Sequence, residues 1–95
     1  MEIEHIDGEV KGAFVVNNPD GEPQFLAEMA YQLRDGKMAI IHTGVRDELR
    51  GKGVARQMLD AAIAYARDND IKIVPICKYA RKMFIKHKDL RDVLA

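Results

Sequence analysis

The sequence has a single cysteine, no excess of charge of either sign and no long apolar run. One cysteine, Cys77, excludes a disulfide framework and a multi-cysteine metal site, so its thiol is either packed or reactive. The 15 basic residues balance the 15 acidic ones, and no basic face indicates a nucleic-acid partner. No apolar run approaches a bilayer span, and residues 1–5 lack a signal pattern. We therefore expect a soluble, cytoplasmic protein that binds neither nucleic acid nor membrane.

The length also limits how the chain is organised. At 95 residues it can form one domain, residues 1–95, with one core of two packed layers. No repeat, linker or low-complexity segment divides it. We expect a single functional site and, because no additional apolar face is evident, a monomer.

The first half of the chain has the patterning of β-strands. Residues 3–6 and 12–16 are short β-rich segments, and residues 24–33 alternate apolar with polar side chains, as a half-buried antiparallel strand does. Asp35-Gly36 predicts a tight hairpin, because two-residue turns require positive φ angles. The nearly continuous apolar run 38–43 then predicts a central strand.

The second half predicts a helix, a strand and a second helix. Apolar positions recur at helical spacing over residues 53–68, so this helix should cover one face of the sheet. Residues 71–76 form the last strand, and the order strand, helix, strand implies parallel pairing through a right-handed crossover. Pro75 indicates an edge position or an interruption of pairing. A final helix is expected over residues 79–87, followed by a charged tail, residues 88–95, that packs loosely or frays.

The segment between the fourth strand and the first helix predicts an anion-binding site. Gly51 and Gly53 let an anion approach the backbone, and the first helical turn has unpaired N–H groups and a partial positive charge. Arg50 and Lys52 add two cations. A phosphate chain fits such a site. The alternative is that the glycines only end a loop and the cations form a solvated surface.

Two common phosphate-binding loops do not fit these residues. A P-loop needs four residues between its first glycine and Gly-Lys, but Gly44 is too far upstream, and Gly53 replaces the hydroxyl residue that binds magnesium. A dinucleotide fingerprint needs glycine or alanine where Arg56 stands. It also needs an acidic residue at the end of the next strand, which reads Val74-Pro75-Ile76 here. Another phosphorylated ligand stays a further alternative.

A third loop does fit. Residues 50–55, Arg-Gly-Lys-Gly-Val-Ala, match the pattern Arg/Gln-x-x-Gly-x-Gly/Ala directly after a strand and a short loop. They resemble the acetyl-CoA pyrophosphate loop of the GCN5-related N-acetyltransferases, and the resemblance covers about residues 24–87. It extends to a compact subgroup without the usual amino-terminal helices. Members share a His-Thr-x-Val strand end, here residues 42–45, and Cys-x-Tyr/Phe-Ala after the last strand, here residues 77–80.

The resemblance implies a fold and a cofactor. The fold is α/β, with a mixed and mostly antiparallel sheet of about five strands. In it, a parallel, splayed pair of strands is joined by the helix that binds CoA, and a second helix follows. The cofactor is acetyl-CoA. Its pantetheine arm runs along Thr43 and Val45, the pyrophosphate is held by Arg50, Gly51, Lys52, Gly53, Val54 and Ala55, and the residues after the last strand that line the site are Cys77, Tyr79, Ala80 and Phe84.

The same alignment raises a question about the chemistry. Aligning Ala80 with the family's alanine puts Cys77 in the position of an asparagine and Phe84 in that of a tyrosine that protonates the departing thiolate. Phe84 has no proton to give, so Tyr79 or water replaces it, or the chemistry differs. Cys77 either takes the acetyl group as a nucleophile or is a packed thiol. His42 is either a general base or a core histidine with satisfied hydrogen bonds.

Two functions follow from the resemblance. One is an N-acetyltransferase that moves acetyl from acetyl-CoA to an amine, either a small molecule or a protein group. The other is a binding module that holds acetyl-CoA or CoA with little or no transfer. No metal is expected, since His5 and His87 have no partner at ligand spacing. Glu28, Asp35 and Glu48 are expected on a solvated surface.

Overall fold

Strands dominate the first half of the chain and helices the second, in a computed structural model that describes residues 1–95. The strands are β1 Glu4–Ile6, β2 Lys11–Asn17, β3 Phe25–Arg34, β4 Lys37–Val45 and β5 Lys72–Pro75. The α-helices are α1 Val54–Asp68 and α2 Lys78–Lys86, and short 3-10 helices span Asp47–Leu49 and Lys88–Val93. None of the helices is long and apolar enough to cross a membrane. The predicted elements are therefore all present, with bounds shifted by one or two residues.

The five strands form one sheet in the order β1-β2-β3-β4-β5. All neighbours are antiparallel except β4 and β5, which are parallel and joined through α1. The predicted mixed sheet is thus confirmed, and β5 lies at its edge as Pro75 indicated. The β3–β4 hairpin turns at Asp35 and Gly36, whose φ angles of 53° and 74° are those that the Asp-Gly pair predicted.

The main core lies between one face of the sheet and α1. Alternate residues of β2, β3 and β4 meet the apolar stripe of α1, because strand side chains alternate between faces. The largest fully buried members are Tyr31, Met29, Met38, Ile40, Met58 and Leu59. We call the other side of β1 to β4 the open face. Three buried residues, Ala13, Val15 and Ala39, lie outside the α1 core cluster.

The expectation of a loose or frayed tail is wrong. Residues 88–93 form a 3-10 helix whose Leu90 and Val93 are buried, and Leu94 bridges to Ile73 of β5. Ala95 N donates a hydrogen bond to Ile73 O at 2.9 Å. The tail covers the exposed edge of the sheet, and a strand edge favours such a cover because its backbone groups need partners. Three apolar residues of the tail pack against the core, and Arg67 forms a salt bridge to Asp92 at 2.8 Å.

Two irregularities in β4 shape its carboxyl-terminal half. Ala30 of β3 pairs with His42 while Tyr31 pairs with Ile40, so Ile41 is an extra residue in a β-bulge. Pairing with β5 ends at the same place, since the last register pair is Ile40 with Pro75. Beyond it the two parallel strands separate. This separation, which we call the splay, is the feature that positions the site.

Candidate functional site

The loop between β4 and α1 presents a helix start with unpaired N–H groups. Gly53 is the N-cap of α1 in the left-handed conformation, with φ 72° and ψ 21°, and no side chain caps the helix. No acidic residue lies in the first turn, so none offsets the partial positive charge there. Gly51 also has a positive φ of 78°. A Cβ at either glycine would meet nothing within 4 Å, which leaves room for an anion above both.

Three cations surround this helix start. Arg50 Nε lies 3.1 Å from Asp47 Oδ1, and both side chains are largely exposed, so the pair holds the guanidinium only weakly. Lys52 takes part in none of the salt bridges. Arg56 is bound to Asp60 at 2.8 Å one turn into α1. Arg50 and Lys52 can therefore turn toward a phosphate at little cost.

Two cavities lie along the line from this loop to the splay. The first, of about 320 Å³, is at the helix start and is lined by Val45, Leu49, Arg50, Gly51, Gly53, Val54, Ala55, Arg56 and Tyr79. The second, of about 550 Å³, lies in the splay and is lined by Ile41, His42, Thr43, Cys77, Lys78, Tyr79 and Lys82. We call them the loop cavity and the splay cavity. Tyr79 lines both, so the two are neighbours across one side chain.

Cys77 lies at the end of the splay cavity formed by β5 and α2. It is the N-cap of α2, and its Sγ accepts a hydrogen bond from Ala80 N at 3.4 Å. The second partner of Sγ is Thr43 Oγ1 of β4, also at 3.4 Å. Thr43 and Cys77 therefore face each other across the splay. The side chain is partly exposed, so Cys77 is not an enclosed core thiol.

His42 lies on the same cavity but does not join Cys77. Its side chain is exposed, and it belongs to the open face, whereas Thr43 belongs to the face covered by α1. The interpretation of His42 as a core histidine is therefore wrong, because the bulge before it turns this part of β4 to the open face. His42 and Cys77 are not hydrogen-bonded to each other, since the hydrogen bonds of Sγ go to Thr43 and Ala80.

The remaining residues of the predicted site divide into two groups. Tyr79 is half-buried, and burial raises the pKa of its phenol above the usual range, so the phenol keeps its proton at neutral pH. Ala80 and Phe84 are buried in the core. Phe84 lines neither cavity and contributes instead to a separate pocket near Pro75 and Leu94. The structure thus places Tyr79, not Phe84, beside the splay.

The three carboxylates expected on a solvated surface differ from one another. Asp35 is in the β3–β4 hairpin, at the opposite end of β4 from the splay. Glu48 is held by Arg46 at 2.8 Å, and this hydrogen bond keeps the pKa of its carboxyl below the usual range. Glu28 is only half-exposed and lines two cavities on the open face. Glu28 is therefore less exposed than expected for a solvated surface residue, and it faces cavities.

Sequence reasoning missed two lysines at the splay cavity. Lys78 and Lys82 line it from α2. Their spacing of four residues at the start of a helix puts both on one side, next to the N-cap Cys77, and this spacing was the signal that could have found them. No group of three or more His, Cys, Asp or Glu side chains is arranged to hold a metal ion.

Comparison with known proteins relates the chain to one family. A family model described as GCN5-related N-acetyl-transferase matches residues 13–93. The solution structure of a GCN5-like protein from Staphylococcus aureus, provisionally named an N-acetyltransferase, is 37% identical in sequence with a TM-score of 0.75. The alignment covers 99% of this chain and 87% of that one. Among curated proteins no similar chain is found.

Proposed function

Because the chain belongs to the GCN5-related N-acetyltransferase family, we propose that it binds acetyl-CoA and transfers the acetyl group to an amine acceptor. The observation that carries the proposal is the continuity of the groove. The loop cavity at the helix start adjoins the splay cavity at Tyr79, and the only cysteine of the chain lies in the splay cavity. A long ligand with a phosphate group at one end and a thioester at the other matches this order.

The chain's own groups would hold the donor in two places. The N–H groups at the start of α1, with Arg50 and Lys52 beside them, suit the pyrophosphate. The edge of β4 that faces β5 has no strand partner after Ile40, so its backbone is free to pair with the pantetheine arm near Thr43 and Val45. Bound acetyl-CoA supplies the activated acetyl group.

For the transfer itself, we assign Cys77 as the first acceptor of the acetyl group. Cys77 lies at the amino end of α2, and Lys78 and Lys82 line the same cavity. Thr43 Oγ1 and Ala80 N fix the position of the sulfur. In this step a bond forms between Sγ and the acetyl carbon, the thioester bond of the donor breaks, and CoA leaves with the proton that Cys77 gives up.

Tyr79 is the group placed to assist the leaving thiolate. Its phenol lies between the two cavities and stays protonated, because burial raises its pKa. A proton passed from the phenol to the departing sulfur would be returned by the thiol proton of Cys77. This assignment replaces the tyrosine that the family carries where this chain has the buried Phe84.

One observation favours the second candidate, a binding module without efficient transfer. The position that the family uses for its proton donor is occupied by Phe84, which is buried away from both cavities. Both candidates require CoA binding, so the binding test comes first and turnover then separates them.

Binding is tested with Gly53→Ala and its matched control Gly36→Ala. The two glycines have φ angles of 72° and 74°, and neither has a heavy atom within 4 Å of an added Cβ, so each alanine should cost about 1–2 kcal/mol of stability. Only Gly53→Ala puts a methyl group where the phosphate chain would bind. We expect its Kd for CoA, measured by calorimetry, to rise at least tenfold and that of Gly36→Ala to stay within a factor of two. Equal affinities would overturn the assignment of the loop.

Transfer is tested with Cys77→Ala and by thiol release. After incubation with acetyl-CoA, the intact mass of the wild-type protein should show one added acetyl group, and Cys77→Ala should bind CoA but show none. An unchanged adduct in Cys77→Ala would rule out the intermediate. Release of CoA that depends on an added amine supports the transferase, whereas release that no amine accelerates supports the binding module.

A further inference from the structure

We propose that Glu28, Gly44 and His42 form the acceptor site on the open face, where they bind a primary alkylammonium group. The proposal rests on the acetyl transfer proposed above for its chemistry and adds which residues receive the acceptor and from which side. It starts from the half-exposed Glu28, which lines two cavities and takes part in none of the salt bridges.

The strand register puts these residues on one face. Glu28 pairs directly with Gly44, and Ala30 pairs with His42. Residues that pair across antiparallel strands share a face, as do alternate residues along a strand. Tyr31, next to Ala30, is buried against α1, so Ala30 belongs to the open face. Glu28, His42 and Gly44 share that face with it.

Gly44 leaves an open space beside His42 and directly opposite Glu28. A Cβ on Gly44 would lie 3.1 Å from His42 Nε2, so the imidazole lies where a larger residue would place its side chain. Paired residues of antiparallel strands have Cβ positions about 5 Å apart. The Glu28 side chain is therefore long enough to bring its carboxylate to the same space from the neighbouring strand. A carboxylate and an imidazole nitrogen within reach of one point suit an ammonium group, which has three donors.

This point is next to the splay cavity, where the acetyl group would be. His42 lines the splay cavity and also a cavity of about 260 Å³ that Glu28 shares. Ile41, the extra residue of the bulge, lines the splay cavity and a cavity of about 430 Å³ that Glu28 also shares. The three cavities thus meet at the bulge. An amine held by Glu28 needs to move past only the His42 side chain to reach the splay.

The larger open-face cavity indicates what the amine is attached to. Its apolar lining includes Ile6, Ala13, Ala30 and Ile41, and Ile6 and Ile41 are exposed by 45% and 36%. An unbranched alkyl chain can bury these surfaces while its ammonium group contacts Glu28. Free alkylamines and lysine side chains share this chemistry, and we expect either to bind.

The proton balance gives each residue a separate task. The bound ammonium group gives one proton to His42 Nε2, which leaves a neutral amine held by Glu28. The amine nitrogen then forms a bond to the acetyl carbon while the bond from that carbon to sulfur breaks. The second nitrogen proton goes to the departing thiolate, and His42 returns its proton to solvent. Glu28 orients the amine and gives the site a negative charge, and it neither accepts a proton nor bonds to the acetyl group.

The test measures acceptor binding apart from turnover. The protein saturated with CoA is titrated with n-butylammonium and, in a second arm, with a short lysine peptide, while NMR follows the Gly44 and His42 amides. We expect both amides to shift, and n-butanol, which has no charge, to leave them unchanged. Glu28→Gln should raise the Kd for n-butylammonium about tenfold, the scale of one charge-assisted hydrogen bond. The control Glu2→Gln, which removes an exposed carboxylate at the amino terminus, should change nothing.

The outcomes separate this inference from the proposed function. If n-butylammonium and the peptide both leave the two amides unchanged, or bind Glu28→Gln as tightly as the wild type, the acceptor site is elsewhere. If they bind as expected but no amine accelerates thiol release, the proposed transfer is wrong and the ammonium site stands. If release occurs and Glu28→Gln keeps the wild-type KM for the amine, the transfer stands and this site is wrong. A shift with the peptide alone would identify lysine in a polypeptide as the source of the amine.

Discussion

Two glycines on opposite faces of the sheet each leave space for a polar ring, Gly12 for Tyr31 and Gly44 for His42. Gly12 of β2 pairs with Tyr31, and a Cβ there would lie 2.4 Å from the Tyr31 hydroxyl and 2.4 Å from Ile6 O. Gly44 of β4 leaves room for His42 Nε2 at 3.1 Å. The first arrangement is closed under α1, and the second is exposed to solvent.

The surroundings of the two rings account for the difference. The Tyr31 hydroxyl is 2.6 Å from His5 Nε2, and His5 stacks on Phe14 with ring centroids 4.2 Å apart. Tyr65 of α1 closes this cluster edge-on to His5 at 4.5 Å. His42 has no such cover. We infer that a glycine beside a polar ring has two different effects. Under α1, Gly12 lets the Tyr31 hydroxyl form a buried contact that stabilises the fold. On the open face, Gly44 leaves the His42 imidazole exposed and available for chemistry.

The largest expected effect is the difference in stability between Gly12→Ala and Gly44→Ala. Gly12→Ala puts a methyl group into both the Tyr31 hydroxyl and the backbone of Ile6, so it should cost about 3 kcal/mol or more, at the upper end of overpacking. A fall in Tm of more than about 10 °C is expected for a chain of this size. Gly44→Ala meets only an exposed imidazole that can turn away, so its Tm should stay within about 3 °C of the wild type.

Thermal unfolding followed by circular dichroism measures both variants. Equal losses of Tm would contradict the division into a closed and an open face. Gly44→Ala should instead lower amine-dependent thiol release, because the displaced imidazole no longer lies opposite Glu28.

A smaller effect is expected when only the buried hydroxyl is removed. Tyr31→Phe keeps the ring in the core and leaves His5 Nε2 without its partner, which should cost about 1–2 kcal/mol in chemical denaturation. Tyr65→Phe is the matched control, since it contacts the same His5 ring through its edge and makes no side-chain hydrogen bond. Its stability should stay within about 0.5 kcal/mol of the wild type. If Tyr65→Phe cost as much as Tyr31→Phe, the hydrogen bond would not be what stabilises the cluster.

Most of the fold could be predicted from local patterns in the sequence. The alternation in β3, the Asp-Gly turn and the helical spacing after Gly53 each depend on neighbouring residues only, and the structure confirms them. The tail was mispredicted because its position depends on a distant partner, Ile73. No local pattern in residues 88–95 shows that the edge of β5 is available to cover.

The part of the site that the backbone forms could be predicted from the sequence. The orientation of its side chains could be predicted less well. Positive φ angles at Gly51 and Gly53 follow from residue type and place in the loop. The faces of His42 and Thr43 depend on a single extra residue, Ile41, and a bulge of this kind has no sequence signal. One residue in the register moved His42 to the open face and left Thr43 opposite Cys77.

The smallest expected effect is a pH dependence of stability to which the closed cluster of His5 and Tyr31 contributes. Burial lowers the pKa of His5, and nearby Asp7 opposes this only in part, so the folded state binds fewer protons at His5 than the unfolded chain does. The contribution of His5 to stability should be complete above about pH 6.5, its pKa in the unfolded chain, and should decline as the pH falls toward its lowered pKa in the folded state.

Burial also raises the pKa of Tyr31 to about 12, so stability should decline again between about pH 10 and that value. Denaturant unfolding at a series of pH values measures both limbs. His5→Gln should flatten the acid limb between about pH 6.5 and 5, before the carboxylates begin to titrate. Tyr31→Phe should reduce the alkaline limb and leave the part that comes from Tyr79, whose pKa burial also raises. An acid limb that persists in His5→Gln would show that another group on the molecule, and not the closed cluster, carries it.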